Sequence, residues 1–402
     1  MPYLKIISIK RFGFNVFARK LTFVLFLICL SWNQTFSQDP HQSEITDLLS
    51  QLASIQSPGN LNYPKGAFAS QRKYNYSNTY KEDYNLFFTA LVLFNLERYK
   101  SYFSDKDLLY VDRIRNNAVP YFKLFLNKKN NTTYNFWQKD PPVIFPNGGW
   151  LNKFNQSSAL PDDIDDCSIA LMALRGSISS VDTMKTYFVA YRNSEKRYAK
   201  SFYSKYNKRP VYSTWLGAKF PIDIDICVLS NVLVMNYQLG VNFNQTDSAS
   251  LQLIIDLIKA DKYIKDPRYV SQHYENKSTI LYHLARLTSY TDDATLLALK
   301  PTLIKQTYAT LSSSKNGLEQ LILKNALLQF GATGPELVYT DKAALYSNNY
   351  PFFIADLPAI LNNPFKRVVT FSKIGRFEYY SEAYNLSLLI ENRILSHIVH
   401  KD

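Results

Sequence analysis

The feature that most limits how this chain can fold is an alternation between two kinds of helix. Residues 86–96, 168–174, 226–237, 279–287 and 318–330 are apolar nearly all the way round. Residues 108–127, 181–196, 249–264 and 292–311 are amphipathic, with charges on one side. A helix apolar on every side must be surrounded by protein, and an amphipathic one covers it from outside. The alternation therefore predicts an inner ring of helices wrapped by an outer ring, an all-α (α/α)6 toroid. A last helix over 383–398 brings the expectation to about twelve helices, at roughly 50 residues per hairpin. An open helical solenoid would also alternate, but it needs end caps and gives no reason for acidic residues to converge.

Punctuation supports the boundaries. Gly176, Gly240 and Gly331 follow apolar helices, as C-terminal caps do. Asp292 and Asp293 stand at the start of an outer helix, where carboxylates favour the positive end of the dipole. Pro120 predicts a kink or break inside its helix. Residues 130–154 read as a long loop holding Trp137 and Trp150, and loops of that length in compact domains tend to be functional. A minor extended segment is expected near 340–380, with residues 367–371 the best strand candidate.

The start of the chain reads as an export signal. Five basic residues, Lys5, Lys10, Arg11, Arg19 and Lys20, precede an apolar run over 21–32 and small residues at Thr35 and Ser37. This predicts residues 1–37 as a signal peptide, cleaved before Gln38, with an uncleaved anchor as the other reading. An N-terminal arm over 38–80 and a toroid domain over 81–402 follow. Removing five basic and no acidic residues takes the formal charge from +13 to +8. The mature surface then suits an acidic polymer or peripheral contact with an anionic membrane. The basic residues are dispersed, and an exported chain is not expected to meet nucleic acid. With 12 glycines and no Gly-rich loop, the chain argues against dinucleotide and phosphate-cradling folds, and its cofactor is unknown.

The chemistry concentrates at Pro161-Asp162-Asp163-Ile164-Asp165-Asp166-Cys167, four carboxylates in five positions running into an apolar helix. One or two can cap the helix. The rest repel one another, so a cation, a shared proton or bound solvent must offset the repulsion. Sixty residues on, Pro221, Asp223, Asp225 and Cys227 repeat the same offsets. In a toroid the inner-helix N-termini gather at one mouth, so Asp163, Asp165, Asp166, Asp223 and Asp225 are the candidate catalytic carboxylates. Trp137, Trp150 and Trp215 each lie in a loop before one of these clusters and are candidates for an aromatic wall. His273, just before an inner helix, and Tyr380, just before the last, are further candidates for the mouth. His283, inside an apolar helix, reads as a core residue. Arg367, Lys373 and Arg376 fall on one stretch that could hold an anion or form a solvated edge.

The run Asp163-Ile164-Asp165-Asp166-Cys167-Ser168 resembles the Asp-x-Asp-Asp-Thr-Ala motif of class II terpenoid cyclases, members of the same α/α-toroid superfamily as protein prenyltransferases. Cys167 and Ser168 stand where that motif has Thr and Ala. The resemblance implies Asp165 as a general acid protonating a carbon–carbon double bond or epoxide, polarised by Asp163 and Asp166. The prenyltransferases hold zinc through an Asp-x-Cys pair and a later His, which here would be Asp225, Cys227 and His273 or His283. A Cys167–Cys227 disulfide is the competing use of the two thiols.

Three functions fit. One is a cyclase-like enzyme acting on a prenyl-type small molecule. The second is an exported glycoside hydrolase or lyase, with an oligosaccharide substrate and Asp165 paired with Asp223 or Asp225. The third is a non-catalytic envelope protein that uses the toroid for binding.

Overall fold

The protein is described here by a computed structural model, covering residues 40–60, 63–139, 160–333, 350–356, 361–369 and 372–399. The chain divides into two compact units, Met1–Glu44 and Ile45–Asp402. Of the first, only the opening residues of helix α1 (Pro40–Ser54) are described. A hairpin of β1 (Ser70–Tyr74) and β2 (Thr79–Asp83) leads into α2 (Leu86–Arg98) and α3 (Asp105–Phe122). Next come α4 (Ile164–Leu174), α5 (Ile178–Ala190), α6 (Ile226–Leu239) and α7 (Gln245–Lys259). The short α8 (Lys262–Lys265) and α9 (Pro267–Val270) precede α10 (Lys277–Tyr290), α11 (Ala294–Ser313) and α12 (Gly317–Gln329). The chain ends with β3 (Phe353–Asp356), α13 (Phe365–Val369), β4 (Arg376–Tyr380) and α14 (Glu382–Val399).

The toroid is visible in which helix touches which. Helix α2 packs on α4, α4 on α6, α6 on α10, α10 on α12, α12 on α14, and α14 closes back onto α2. Among the described residues this is a ring of six inner helices. Helices α3, α5, α7 and α11 pack against its members and keep one face in solvent. The reason is compositional. Every residue of α2 except Arg98, and every residue of α4 except Leu174, is buried. Each large apolar side chain so enclosed contributes about 1.5–3 kcal/mol. None of the described helices is long and apolar enough to cross a membrane.

Caps set the helix starts. Asn85, Ser104, Asp163, Asp225, Asn244, Asp293 and Asn316 each accept a backbone N–H from the first turn, as short polar side chains do. The ends are more varied. Gly240 and Gly331 take the left-handed conformation. After α4, however, that position is held by Arg175 (φ 55°), with Gly176 one residue beyond. Helix α3 runs through Pro120 and stops at Phe122 rather than at 127; Lys123, Leu124 and Phe125 then bond three residues back, in tighter turns.

A four-stranded antiparallel sheet runs in the order β2-β1-β4-β3. It joins the first segment of the unit to the last, with Gln71 opposite Tyr380 and Phe353 opposite Tyr379. Strand β2 leads into α2 and β4 into α14, so the sheet lies at the N-terminal end of the inner ring. Helix α1 buries Leu48, Leu49 and Leu52 and leaves Asp47, Ser50 and Gln51 exposed, and β2 runs across residue 80. One reading changes here. Residues 367–369 are helical, not extended, and 370–371 lie outside the described residues. Pro364 precedes this helix, and Lys366 is anchored by hydrogen bonding to Gln272, so tertiary contact overrides the Val-Val preference for strand.

Candidate functional site

At the N-terminal end of the ring lies a cavity of about 80 Å³. Its wall includes the rings of Trp137, Trp215, Phe353 and Tyr379, the carboxylates Asp163, Asp223 and Asp356, and the polar pair Gln272 and His273. Those residues come from the starts of α4, α6 and α10, from β3 and β4, and from the loop after α3. The inner-helix starts therefore converge on one mouth.

The four clustered carboxylates part ways. Asp162 turns to the loop, where it accepts from Asn127 Nδ2 (2.5 Å), Thr133 Oγ1 (2.5 Å) and Lys139 Nζ (2.6 Å). It anchors that loop to the mouth. Asp163 caps α4 through the Asp166 N–H (2.7 Å) and faces the cavity. Asp165 turns inward, accepting from Asn231 Nδ2 (2.6 Å) and from the Tyr274 hydroxyl. It is not among the residues lining the cavity. Asp166 lies against Asp163. Residues 162 and 163 are extended and 165 and 166 are helical, so successive side chains leave in different directions.

Protons and one cation resolve the repulsion. Burial, then the charge of Asp163, holds Asp166 well above the usual carboxylate range, so it keeps its proton and shares it with Asp163. Burial also raises Asp163, against the hydrogen bonds from Asp166. Asp165 is pushed up to about 7 by burial and the charge of Asp163. Burial lowers the affinity of His273 for a proton, but the hydrogen bond and charge of Asp223 outweigh it and carry the imidazole to about 9. His273 is thus an imidazolium paired with Asp223 at 2.9 Å. The same pair offsets the effect of burial on Asp223 and leaves its carboxyl below the ordinary range.

Asp225 is a structural cap, accepting from Cys227 N (2.8 Å), Ser271 Oγ (2.7 Å) and His273 N (2.9 Å). By role it corresponds to Asp163. Both are N-caps followed by Ile, and in both helices a Ser five residues on bonds back to the carbonyl of that Ile. The structural repeat is therefore offset by two residues from the sequence echo, and Asp223 has no capping counterpart. Its place at the mouth rests on His273.

Of the aromatic candidates, Trp137 and Trp215 both line the cavity, 3% and 8% exposed. Trp137 donates to Asp83 Oδ1 (3.1 Å), while the Trp215 Nε1 has no partner among the described residues. Trp150 lies outside the described residues. Tyr380 bonds to Glu378 (2.6 Å) on the other face of β4, and its neighbour Tyr379 lines the cavity instead. His283 is a neutral core residue: burial holds its pKa well below normal, and its Nδ1 donates to the Thr279 carbonyl (2.8 Å). Cys167 and Cys227 are both free and buried, so the disulfide alternative does not hold. Among the described residues no three His, Cys, Asp or Glu side chains are grouped to hold a metal ion, and the Asp225–Cys227–His arrangement does not form.

Sequence reasoning missed Gln272, Phe353 and Asp356, and of the pair Tyr379-Tyr380 before the last helix it favoured Tyr380. Strand alternation at 376–380 would have separated Tyr379 from Tyr380. Nothing local marks Asp356 or the inward partners of Asp165.

The titrations predict a pH dependence. Asp165 has an unfolded pKa of about 4 and a folded value of about 7, so the folded state binds more protons between them. Stability falls as pH rises through that window. The His273 pair contributes stability that is fully present below about pH 6.5 and is lost as pH rises through about 9. Asp223, shifted the other way, acts only near and below about pH 4. Denaturant midpoints are therefore expected to decline from pH 5 to pH 9, and Asp165→Asn should make the lower half less steep, with Glu275, also raised to about 7, keeping part of the slope. A midpoint that climbs over this range contradicts these assignments.

No family model matches the chain, and no curated protein matches it in sequence. Among solved structures it is similar to an unsaturated glucuronyl hydrolase specific for heparin, with a TM-score of 0.44 and 10% identity, covering 89% of this chain and 96% of that one. The toroid itself rests on the closed ring of helix contacts.

Proposed function

We propose that the mouth is the active site of an exported carbohydrate-active enzyme that works on the end of a sugar chain. The observation that carries this reading is the composition of the cavity: flat rings of Trp137, Trp215 and Phe353 beside Asp163, Asp223 and His273. Sugar rings present apolar C–H faces to aromatic side chains and hydroxyls to carboxylates, and glycosidic bonds are cleaved by carboxyl groups. A cavity of about 80 Å³ is far below the roughly 300–1,000 Å³ of ordinary ligand sites. It admits the tip of a chain rather than its middle.

Asp163 has the properties of the proton carrier. It faces the cavity, its pKa is raised, and Asp166 holds a second proton against it. A protonated Asp163 would donate to the glycosidic oxygen as the bond breaks and later take a proton from the attacking water. Asp223, kept ionised by His273, is suited to stabilise the positive charge that develops on the sugar. The cyclase reading has less support, since both oxygens of Asp165 are engaged by Asn231 and Tyr274 and it does not line the cavity.

The test uses mature protein recovered outside the cytoplasm, whose intact mass should place its first residue at Gln38. Incubated with oligosaccharide and prenyl panels, it should release terminal sugar units. Trp215→Ala should raise KM about tenfold or more, a loss of 1.4 kcal/mol or more of binding. Turnover of a prenyl substrate, or none of any sugar, would overturn the proposal.

A further inference from the structure

Beside the mouth two surface cavities of about 370 and 850 Å³ lie side by side and share Tyr203, Tyr269 and Arg367. Together they form a groove between the loop before residue 208, the α8–α9 turn, and α13. Six cations line it against one carboxylate, Asp266; three of them are paired, Lys262 with Asp266 (3.3 Å), Lys265 with Asp261 (3.2 Å) and Arg268 with Glu275 (3.3 Å). Lys200, Lys205 and Arg367 are exposed and have no ion-pair partner among the described residues. Asp266 is already used, accepting from the Tyr203 hydroxyl (2.7 Å) and Lys262 (3.3 Å).

Three of the lining cations lie over tyrosine rings, together with Arg209 and the buried Lys366 next to the groove. Lys205 and Arg209 lie over Tyr206 at 5.1 and 4.9 Å, Lys262 over Tyr203 at 5.0 Å, and Lys366 and Arg367 over Tyr269 at 4.7 and 5.3 Å. The rings themselves meet edge to face, Tyr203 with Tyr269 at 4.5 Å and with Tyr206 at 6.3 Å. Cation–π contacts of this kind fix the charges in place before any ligand arrives. The groove and the mouth are linked through buried Lys366, which lies over the groove residue Tyr269 and donates to Gln272 (2.6 Å) of the small cavity.

We propose that this groove binds an acidic polysaccharide, its carboxylate or sulfate groups lying along the cations and its end directed to the mouth. That the anion is a saccharide rests on the carbohydrate reading of the mouth; that the groove selects polyanions does not. The test measures binding of the mature protein to polygalacturonate, dextran sulfate, neutral dextran, single-stranded DNA and anionic lipid vesicles. The acidic polysaccharides should bind, more weakly as salt rises, and neutral dextran should not. Combining Lys205→Gln, Lys262→Gln and Arg367→Gln should weaken polyanion binding at least tenfold with an unchanged melting temperature. If the triple variant unfolds, Lys205→Gln and Arg367→Gln, both at exposed positions, should each still weaken it severalfold. Undiminished binding in these variants, or equal or tighter binding to DNA or vesicles, overturns the proposal. Asp163→Asn separates the two readings: it should bind polyanion normally while losing turnover, and loss of turnover there says nothing against the groove.

Discussion

Replacing Asp163 by Asn is expected to lower turnover of the released sugar by about 10³-fold or more while leaving the protein folded. Removing a single group that acts on the transition state costs 10²–10⁴-fold, the range for positioned proton transfer. The fold should survive because Asn caps a helix about as well as Asp, so the bond from Asp166 N at 2.7 Å can be kept. Asp163→Ala would lose the same activity and the cap as well, at a further cost of about 0.5–2 kcal/mol. Asp165→Asn provides the contrast. Its partners are Asn231 and Tyr274 rather than the cavity, so its main effect should be on the pH profile of stability. Steady-state kinetics of the three variants beside thermal melts makes the comparison. If Asp165→Asn is the inactive one and Asp163→Asn keeps full turnover, the proton carrier has been misassigned.

Glu391→Ala is expected to be the most destabilising single substitution in the ring, at roughly 3–5 kcal/mol. Glu391 lies on α14 and is 0% exposed. It accepts from the Tyr99 hydroxyl (2.9 Å) and Arg98 (3.3 Å) at the end of α2, and from the Tyr282 hydroxyl (2.7 Å) on α10. Asn325 (3.2 Å) and Gln329 (3.0 Å) on α12 complete the set. One carboxylate therefore clamps the closing helix to three others in the ring. Its removal leaves the Arg98 guanidinium without its ion-pair partner and takes an acceptor from four further donors, the costly half of a broken, largely enclosed pair. Lys100→Ala is the control, since its ion pair with Asp112 is exposed and should be worth at most about 1 kcal/mol. Denaturant midpoints read both, and similar shifts for the two would refute the clamp.

Much of this molecule is legible along the chain. The inner helices announce themselves because no face of 86–96 or 226–237 could tolerate water, and the start of α4 announces itself because Asp163 can reach the N–H three residues on. These are interactions within one or two turns, so sequence spacing alone specifies them. The mouth of the ring was legible for the same reason, as the place where such starts gather. The roles within it were less so. Four adjacent aspartates look equivalent in sequence, yet one anchors a loop, one faces the cavity, one is drawn into the core and one holds a proton. Those fates depend on Asn127, Tyr274 and His273, which lie tens of residues to more than a hundred away.

The sequence by itself determined the helices, their two classes and the end of the ring at which acids would collect, because apolar periodicity and capping are short-range physics. Only the tertiary structure decided that β1 pairs with β4, that α14 closes on α2 through Glu391, and that Asp163 rather than Asp165 meets the cavity. Each of these joins residues that share no local pattern, some separated by about 300 positions. Such partners become neighbours only when the ring closes, and the direction of a side chain at a helix start is set by the neighbours that closure supplies.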